Sequence, residues 1–224
     1  MDWTAIWVSV RLSVSTMAIL LIVGMPIAYW TAFSRWRFKF LVEAIVALPL
    51  VLPPTVLGFY ILVTIGRGSP IGRLYAEVGG GSLPFTFTGL LVASVVYSLP
   101  FAVQPFSTAF ASVDRRLLEA SWSLGVSRAA TFRRVVLPLS MRGVVTGMVL
   151  SFAHTLGEFG VVLMVGGNLP GTTRTISISI YDSVQALDYT AAAQTSLLLL
   201  LVSFAILSIT YSLQKRAWAS WPMF

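Results

Sequence analysis

The chain has 224 residues, of which 57% are hydrophobic and only 10% are charged, whereas an average soluble domain carries about 25% charged residues. Together with a mean hydropathy of +0.86, this composition excludes a water-soluble globular domain. The absence of cysteine excludes disulfides and thiolate metal sites. The net charge of +7 comes from basic residues confined to short loops, a pattern typical of membrane topology that argues against nucleic acid as a partner.

Five apolar segments are long enough to cross a hydrocarbon core of roughly 30 Å, which takes about 20 helical residues. They cover residues 8–33, 40–65, 89–110, 143–165 and 191–213. None shows the alternation of an outer-membrane barrel strand, and backbone amides in a bilayer must be bonded internally. We predict an all-α polytopic membrane protein with one transmembrane domain over residues 1–224. The first apolar run is too long for a signal peptide, so we expect it to be retained.

Prolines interrupt the second and third predicted spans. Pro49, Pro53 and Pro54 remove three amide donors near the middle of the second span. In a membrane this is tolerated where neighbouring helices or a water-filled path satisfy the freed carbonyls, so we expect this span to line a pathway. Pro100 and Pro105 do the same in the third span, where simple packing kinks are an equal alternative.

The fourth span contains the carboxylate of Glu158, with His154 one helical turn before it. We expect the two side chains to share a hydrogen bond on one helix face. A charge at that depth should face the bundle, another subunit or water. Two interpretations are open: Glu158 is part of a gate, or it makes a satisfied contact between helices. Gly157 and Gly160 permit close helix approach, as at a dimer interface or a moving gate.

Lysine and arginine are distributed unequally between the loops. Arg67, Arg73 and Arg174 lie on one side, and Arg11 lies near that end of the first span. The other side carries more lysine and arginine residues. By the positive-inside rule, this predicts that the N-terminus is outside and the C-terminus is cytoplasmic. Those residues are Arg35, Arg37, Lys39, Arg115, Arg116, Arg128, Arg133, Arg134, Arg142, Lys215 and Arg216. Tryptophans cluster at span ends as interfacial anchors: Trp3, Trp7, Trp30, Trp36, Trp218 and Trp221.

The loop 114–138 between the third and fourth spans is predicted to dock onto a partner. Apolar side chains at helical spacing in 117–124 predict a short amphipathic helix. Gly125 stands where a helix can end in a left-handed residue, and Ser127 can cap a second helix. A compact helix followed by a tight turn can fit a cleft. A solvated loop whose arginines only set the topology is the alternative.

The same loop resembles the EAA motif of the binding-protein-dependent ABC importer permeases. That motif reads Glu-Ala-Ala, three residues, Gly, nine residues and Ile-x-Leu-Pro, and the spacing here matches in full, with Ser121 for the second Ala and Val135 for Ile. The resemblance implies the type I (MetI-like) importer permease fold and an ATPase-coupling role for the loop. The residues that it assigns to coupling are Glu119, Ala120, Ser121, Leu124, Gly125, Leu137 and Pro138.

Residues 48–58, 156–160 and 167–176 resemble the molybdate permeases within this family. Sulfate and tungstate permeases share the neighbourhood of Glu158 more loosely. The resemblance therefore implies an oxyanion importer in a bacterial or archaeal plasma (inner) membrane that carries molybdate or tungstate, with sulfate or another oxyanion as the alternative.

The implied partners are a second copy of the permease, two ATP-binding cassette subunits (ModC-like), an extracytoplasmic oxyanion-binding protein (ModA-like) and membrane lipid. The chain has no G-x-x-x-x-G-K-[ST] phosphate loop, so we expect ATP and Mg²⁺ to bind the separate ATPase. We expect no catalytic residue, no metal site and no cofactor in this chain. The implied mechanism is alternating access.

The pathway and the outer surface offer only general candidates. No ring of arginines lies within the spans, and a deep fixed cationic site would hold a dianion too tightly for release. We expect a binding protein to provide specificity. The pathway or gate candidates are Pro49, Pro53, Pro54, Thr55, Ser94, Ser98, Ser151, Thr155 and Glu158. In the outer loop 168–189 strand and helix patterns both fit, the resemblance favours a short helix, and the candidate contacts with the binding protein are Asn168, Thr172 and Arg174.

The rival class is an ion-driven secondary transporter or channel. Such proteins often contain repeats with matching interrupted helices in their two halves. The proline cluster of the second span has no counterpart in the fourth, which argues against that class. A membrane-embedded enzyme is disfavoured because no catalytic cluster is recognisable.

Overall fold

The computed structural model describes residues 1–218, and side chains up to Ser212. The predictions for the side chains of Lys215, Arg216, Trp218 and Trp221 lie outside the described residues. Regular structure in the described part is helical. The helices are α1 (Trp3–Phe33), α2 (Lys39–Val51), α3 (Pro54–Ile65), α4 (Pro70–Tyr75), α5 (Phe87–Ala111), α6 (Arg115–Ser123), α7 (Arg128–Thr131), α8 (Leu137–Gly157), α9 (Gly160–Gly166), α10 (Ile176–Gln185) and α11 (Tyr189–Trp218), with π-helical turns at Ala76–Gly80 and Phe132–Val136.

Within the described residues, four helical stretches are long and apolar enough to cross a membrane: Trp3–Phe33, Phe87–Ala111, Arg128–Gly157 and Tyr189–Ser212. The first, third and fifth predicted spans correspond to three of them. Pro100 and Pro105 lie inside α5, which continues through both of them. The predicted second and fourth spans differ from the observed helices.

The second predicted span is a sharply bent pair of short helices. α2 ends at Val51, and α3 begins at Pro54 after a bend of 115°. Leu52 is extended, with φ −71° and ψ 137°, because a residue that precedes proline is excluded from the helical region. Pro53 and Pro54 therefore end one helix and begin another, where we expected one disturbed helix.

The fourth predicted span is also broken. Its helix begins before residue 143, at Arg128, and ends at Gly157. Glu158 is extended with ψ 138°, and α9 starts at Gly160. Glycine has low helix propensity because it loses the most backbone freedom, so the chain leaves the helix between these two glycines. The break of the second span thus has a counterpart in the fourth, contrary to our expectation.

The two short helices that follow the breaks, α3 and α9, pack closely. A Cβ placed on Gly160 would lie 2.7 Å from Cβ of Pro54, and one placed on Gly58 would lie 2.8 Å from Cβ of Met164. These distances are shorter than real Cβ contacts, so both glycines are needed for the approach.

The main core lies among α1, α5 and α8. Phe106 and Phe110 of α5 are fully buried there. Gly143 and Gly147 let α8 approach α5, since a Cβ on Gly143 would lie 2.2 Å from Cβ of Ala109. Ser140 Oγ also donates a hydrogen bond to the carbonyl of Ala109 at 3.0 Å. Small residues at such a contact are typical of helices packed in membranes.

Candidate functional site

The loop between α5 and α8 contains the predicted amphipathic helix, α6. Asp114 caps its start by accepting a hydrogen bond from the amide of Arg116 at 2.9 Å. Its end is closed by Gly125, with φ +76°, and by a bond from the amide of Val126 to the carbonyl of Ser121 at 3.1 Å. A left-handed glycine with a bond spanning five residues is the Schellman end of a helix.

A second helix begins directly after this turn. Ser127 accepts a hydrogen bond from the amide of Ala130 at 3.3 Å, as expected for its cap. The hydroxyls of Ser121 and Thr131 lie 2.9 Å apart and join α6 to α7 across the turn. Ser121 is the departure from the Glu-Ala-Ala pattern, and alanine could not make this bond. The sequence motif alone did not predict that contact.

The coupling candidates fall into two groups. Glu119, Ala120 and Gly125 are exposed, and Leu124 is 82% exposed at the tip of α6. The opposite side of α6 is held in the core by Leu118, which is 2% exposed. Leu137 and Pro138 begin α8 instead and so connect the loop to the transmembrane bundle. Their assignment to coupling stays a prediction.

The predicted hydrogen bond between His154 and Glu158 is absent. His154 Nδ1 lies 2.9 Å from Ser98 Oγ, and its ring stacks on Phe101 at 3.9 Å between centroids. Because α8 ends at Gly157, Glu158 does not lie on the same helical face as His154. The prediction was wrong because it assumed one continuous helix from His154 to Glu158, whereas the helix ends between them.

Three of the predicted pathway hydroxyls lie in the contact between α5 and α8. Ser98 Oγ is 2.8 Å from Thr155 Oγ1, and Thr155 donates to the carbonyl of Ser151 at 2.9 Å. All three residues are buried. In this subunit they join two helices, and any contact with a transported molecule stays a prediction.

The other pathway candidates surround the two helix breaks. Pro49 is buried in α2, whereas Pro53, Pro54 and Thr55 are exposed at the bend. Glu158 is 4% exposed, and its carboxylate lies beside the buried hydroxyl of Ser94. Their role as a gate stays a prediction.

On the side opposite the loop 114–138, called the coupling loop after its predicted role, four residues form what we call the Arg174 clamp: Asp2, Asn168, Arg174 and Asp182. Arg174 forms an ion pair with Asp182 of α10 and lies 3.6 Å from the carboxylate of Asp2. Asn168 Nδ2 donates to Asp182 Oδ2 at 2.7 Å. Thr172 is exposed and stands apart from the clamp.

The clamp connects three distant parts of the chain. It joins the start of α1 and the loop before α10 to α10 itself, which is a helix and not a strand. Ser9 of α1 adds a buried hydrogen bond from the amide of Ile176, at 2.8 Å. Asn168 and Arg174 are therefore engaged within the chain, and their predicted contact with a binding protein stays a prediction. The acidic partners were missed because nothing in the sequence links Asp2 to Asp182.

We expect the clamp to make stability depend on pH. Burial opposes ionisation of Asp182, but hydrogen bonds from Arg174 and Asn168 outweigh it and lower the pKa of Asp182 below its ordinary value of 3.8. A carboxyl with a lowered pKa stabilises the fold above its unfolded-state pKa and loses that contribution as the pH falls through the folded-state pKa. Asp182→Asn should therefore lower the melting temperature in detergent at neutral pH, and the difference from wild type should shrink as the pH is lowered below 3.8.

The control for this prediction is Glu77→Gln, which removes the charge of an exposed carboxylate outside the clamp. It should leave the melting temperature unchanged at neutral pH and at acidic pH. An Asp182→Asn variant that melts with the wild type at neutral pH would show that the clamp does not stabilise the fold.

Comparison with known proteins identifies the family. The family described as binding-protein-dependent transport system inner membrane component matches residues 24–219. The molybdenum transport system permease protein ModB of Azotobacter vinelandii is 50% identical over 214 residues, covering 96% of this chain and 95% of that protein. A probable sulfate transport system permease protein of Chlorella vulgaris is 35% identical over 184 residues, covering 82% of this chain and 68% of that one.

The fold has also been seen in solved structures. An inward-facing structure of the MetNI methionine ABC transporter aligns with a TM-score of 0.72 at 17% sequence identity, covering 95% of this chain and 94% of the matched chain. At this identity the likeness concerns the fold, which is that of the MetI-like importer permeases. The family match and the 50% identical relative, rather than this likeness, exclude the rival class of ion-driven transporters. The chain belongs to the family of binding-protein-dependent transport system inner membrane components.

Proposed function

We propose that this chain is the membrane-spanning permease subunit of an ABC importer that carries molybdate into the cytoplasm. The observation that carries the proposal is the 50% identity with the molybdenum permease of Azotobacter vinelandii along almost the whole chain. Tungstate has the same tetrahedral shape and charge as molybdate, so we include it as a substrate. The identity with a probable sulfate permease supports sulfate as the second candidate.

The working transporter in this proposal contains several subunits. Two copies of this chain enclose the pathway, because the described part of one copy contains only four to five candidate spans. Two ATPase subunits hold ATP and Mg²⁺, since this sequence has no phosphate loop. An extracytoplasmic oxyanion-binding protein delivers the anion. Thr172, which is exposed and does not belong to the Arg174 clamp, is the remaining candidate for a contact with this protein.

The proposed orientation places α6 in the cytoplasm and the Arg174 clamp outside. The basic residues of the first and third loops favour it through the positive-inside rule. The N-terminus is then outside and the C-terminus inside, in a multi-pass inner-membrane protein. This orientation brings the exposed tip of α6 to the side where ATP is available.

The proposed mechanism is alternating access driven by the ATPases. ATP binding closes the ATPase dimer and draws the two α6 helices together, and the permeases open outwards to receive the anion. Hydrolysis returns them to the inward-open state. The Schellman end at Gly125 and the bond from Ser121 to Thr131 hold α6 rigidly enough to transmit this movement.

The test is reconstitution of the permease with the ATPase and the binding protein of its own importer in proteoliposomes. We expect molybdate and tungstate to stimulate ATP hydrolysis and to accumulate inside, with sulfate less effective. Stimulation by sulfate alone would favour the second candidate. If no anion stimulates hydrolysis and no ATPase binds the permease, the proposed function is wrong.

A further inference from the structure

A groove of about 840 Å³ runs along the surface formed by α5 and α8, with Leu50 of α2 at its edge. One part of it is polar and contains Arg142, Gln104 and Thr108. The remainder is apolar and includes Phe101 and Leu150. The groove thus changes from polar to apolar along the two helices.

The polar part lies near the coupling loop. Residue 143 of α8 packs against Ala109, which lies two residues before the end of α5 at Ala111. Arg142 is therefore level with the last turn of α5, and Leu150 lies about two helical turns farther from the coupling loop. We had counted Arg142 among the loop residues. The structure places it on a transmembrane helix instead, within the groove.

No described side chain forms an ion pair with the guanidinium of Arg142. An adjoining groove shares Gln104 and Thr108 and contains the carboxylate of Glu43, but Glu43 forms an ion pair with Lys39 at 3.6 Å. The guanidinium of Arg142 is therefore available to an anion.

The position of the groove limits what can face it. A charged side chain on a membrane helix faces water or protein because exposure to lipid is costly. Within one subunit this groove lies on the outside of α5 and α8, so either a second copy or a water-filled path must cover it. In an importer made of two copies, both conditions are met along the transport pathway.

We propose that Arg142, Gln104 and Thr108 form half of a transient binding site for a tetrahedral oxyanion at the cytoplasmic end of the pathway. The same three residues of the second copy complete it. The inference rests on the proposed function, because it assumes a dianion and two identical permeases. A guanidinium binds such an anion through two parallel N–H groups, while an amide N–H and a hydroxyl add hydrogen bonds.

The exposure of these side chains is consistent with a site that must release the oxyanion. Arg142, Gln104 and Thr108 are all exposed in the subunit, so water competes with the anion for every donor. A site of this kind attracts the dianion from the apolar part of the groove without holding it. It therefore meets the objection that a buried cationic ring would trap the substrate.

The test uses the complete importer in proteoliposomes with Arg142→Gln, Arg142→Lys, Gln104→Glu and Gln104→Met. We expect Arg142→Gln to lower the rate of molybdate uptake about tenfold through the lost charge-assisted contacts, while the KM for the loaded binding protein is unchanged. Arg142→Lys should retain most of the uptake. Gln104→Glu should slow uptake far more than Gln104→Met, because only the former places a negative charge beside the anion.

Arg37→Gln is the control for the loss of one basic residue on the same side, since Arg37 lies in the loop before α2 and outside the groove. If Arg142→Gln fails to assemble with the ATPase, the comparison of uptake rates between Gln104→Glu and Gln104→Met tests the site instead. Wild-type uptake rates in Arg142→Gln, or equal rates in the two Gln104 variants, would overturn the site. A wild-type importer that moves no tetrahedral oxyanion would instead overturn the proposed function.

Discussion

Replacing Gly125 with valine is expected to uncouple ATP hydrolysis from transport while membrane insertion stays intact. Gly125 has φ +76°, a conformation that costs a residue with a side chain about 1–2 kcal/mol and more when that side chain is β-branched. Valine should open the helix end and displace the exposed tip at Leu124. We expect molybdate uptake to fall about tenfold or more, since 1.4 kcal/mol corresponds to a factor of ten.

The expected effect of Gly125→Val does not arise from steric conflict of the added Cβ. A Cβ on Gly125 would meet no atom of the described residues within 4 Å, so the constraint at this position comes from the backbone conformation. Gly125→Asn is the matched control, because asparagine tolerates the left-handed region, and it should retain most of the uptake. ATP hydrolysis and uptake are measured on the same proteoliposomes. Coupled transport at the wild-type rate in Gly125→Val would count against the docking role of α6.

Gly143→Ala is expected to destabilise the transmembrane bundle through steric conflict. The added Cβ would lie 2.2 Å from Cβ of Ala109 and 3.2 Å from the carbonyl oxygen of Pro105. Neither atom belongs to a flexible side chain, so α8 and α5 must move apart. Overpacking of this kind costs about 1–3 kcal/mol, and the melting temperature of the purified permease in detergent should fall clearly.

Gly157→Ala is the control on the same helix. No atom in the described part of the chain lies within 4 Å of the Cβ that it would add, so the same substitution should leave the melting temperature near that of the wild type. Equal melting temperatures for the two variants would show that the contact at Ala109 does not hold α5 and α8 together.

Properties that depend on composition and local spacing were predictable from the sequence. The membrane class follows from apolar runs that can be buried only in lipid. The helix at 115–123 and its end at Gly125 follow from a short apolar pattern and one residue that can adopt a left-handed conformation. Both are local properties, and the structure agrees with the predicted helix and its end.

Other features could not be read from the order of residues. The prolines next to Leu52 indicated that the second span is interrupted there. The 115° angle of the bend, however, depends on how α3 packs against α9. The break at Glu158 was missed because its flanking glycines also fit a continuous packed helix, and the partner of His154 was misassigned as a result.

Contacts between distant segments were decided by the tertiary structure alone. Sequence spacing carries no information about Asp2 approaching Arg174 and Asp182, or about Arg142 lying in a groove beside Gln104. Such contacts form only when helices far apart in the chain pack together, because packing brings their charged and polar groups within a few ångströms. The sequence by itself therefore determined the kind of protein and the amphipathic helix α6, whereas the packing of α1, α5, α8 and α10 decided where its charges meet.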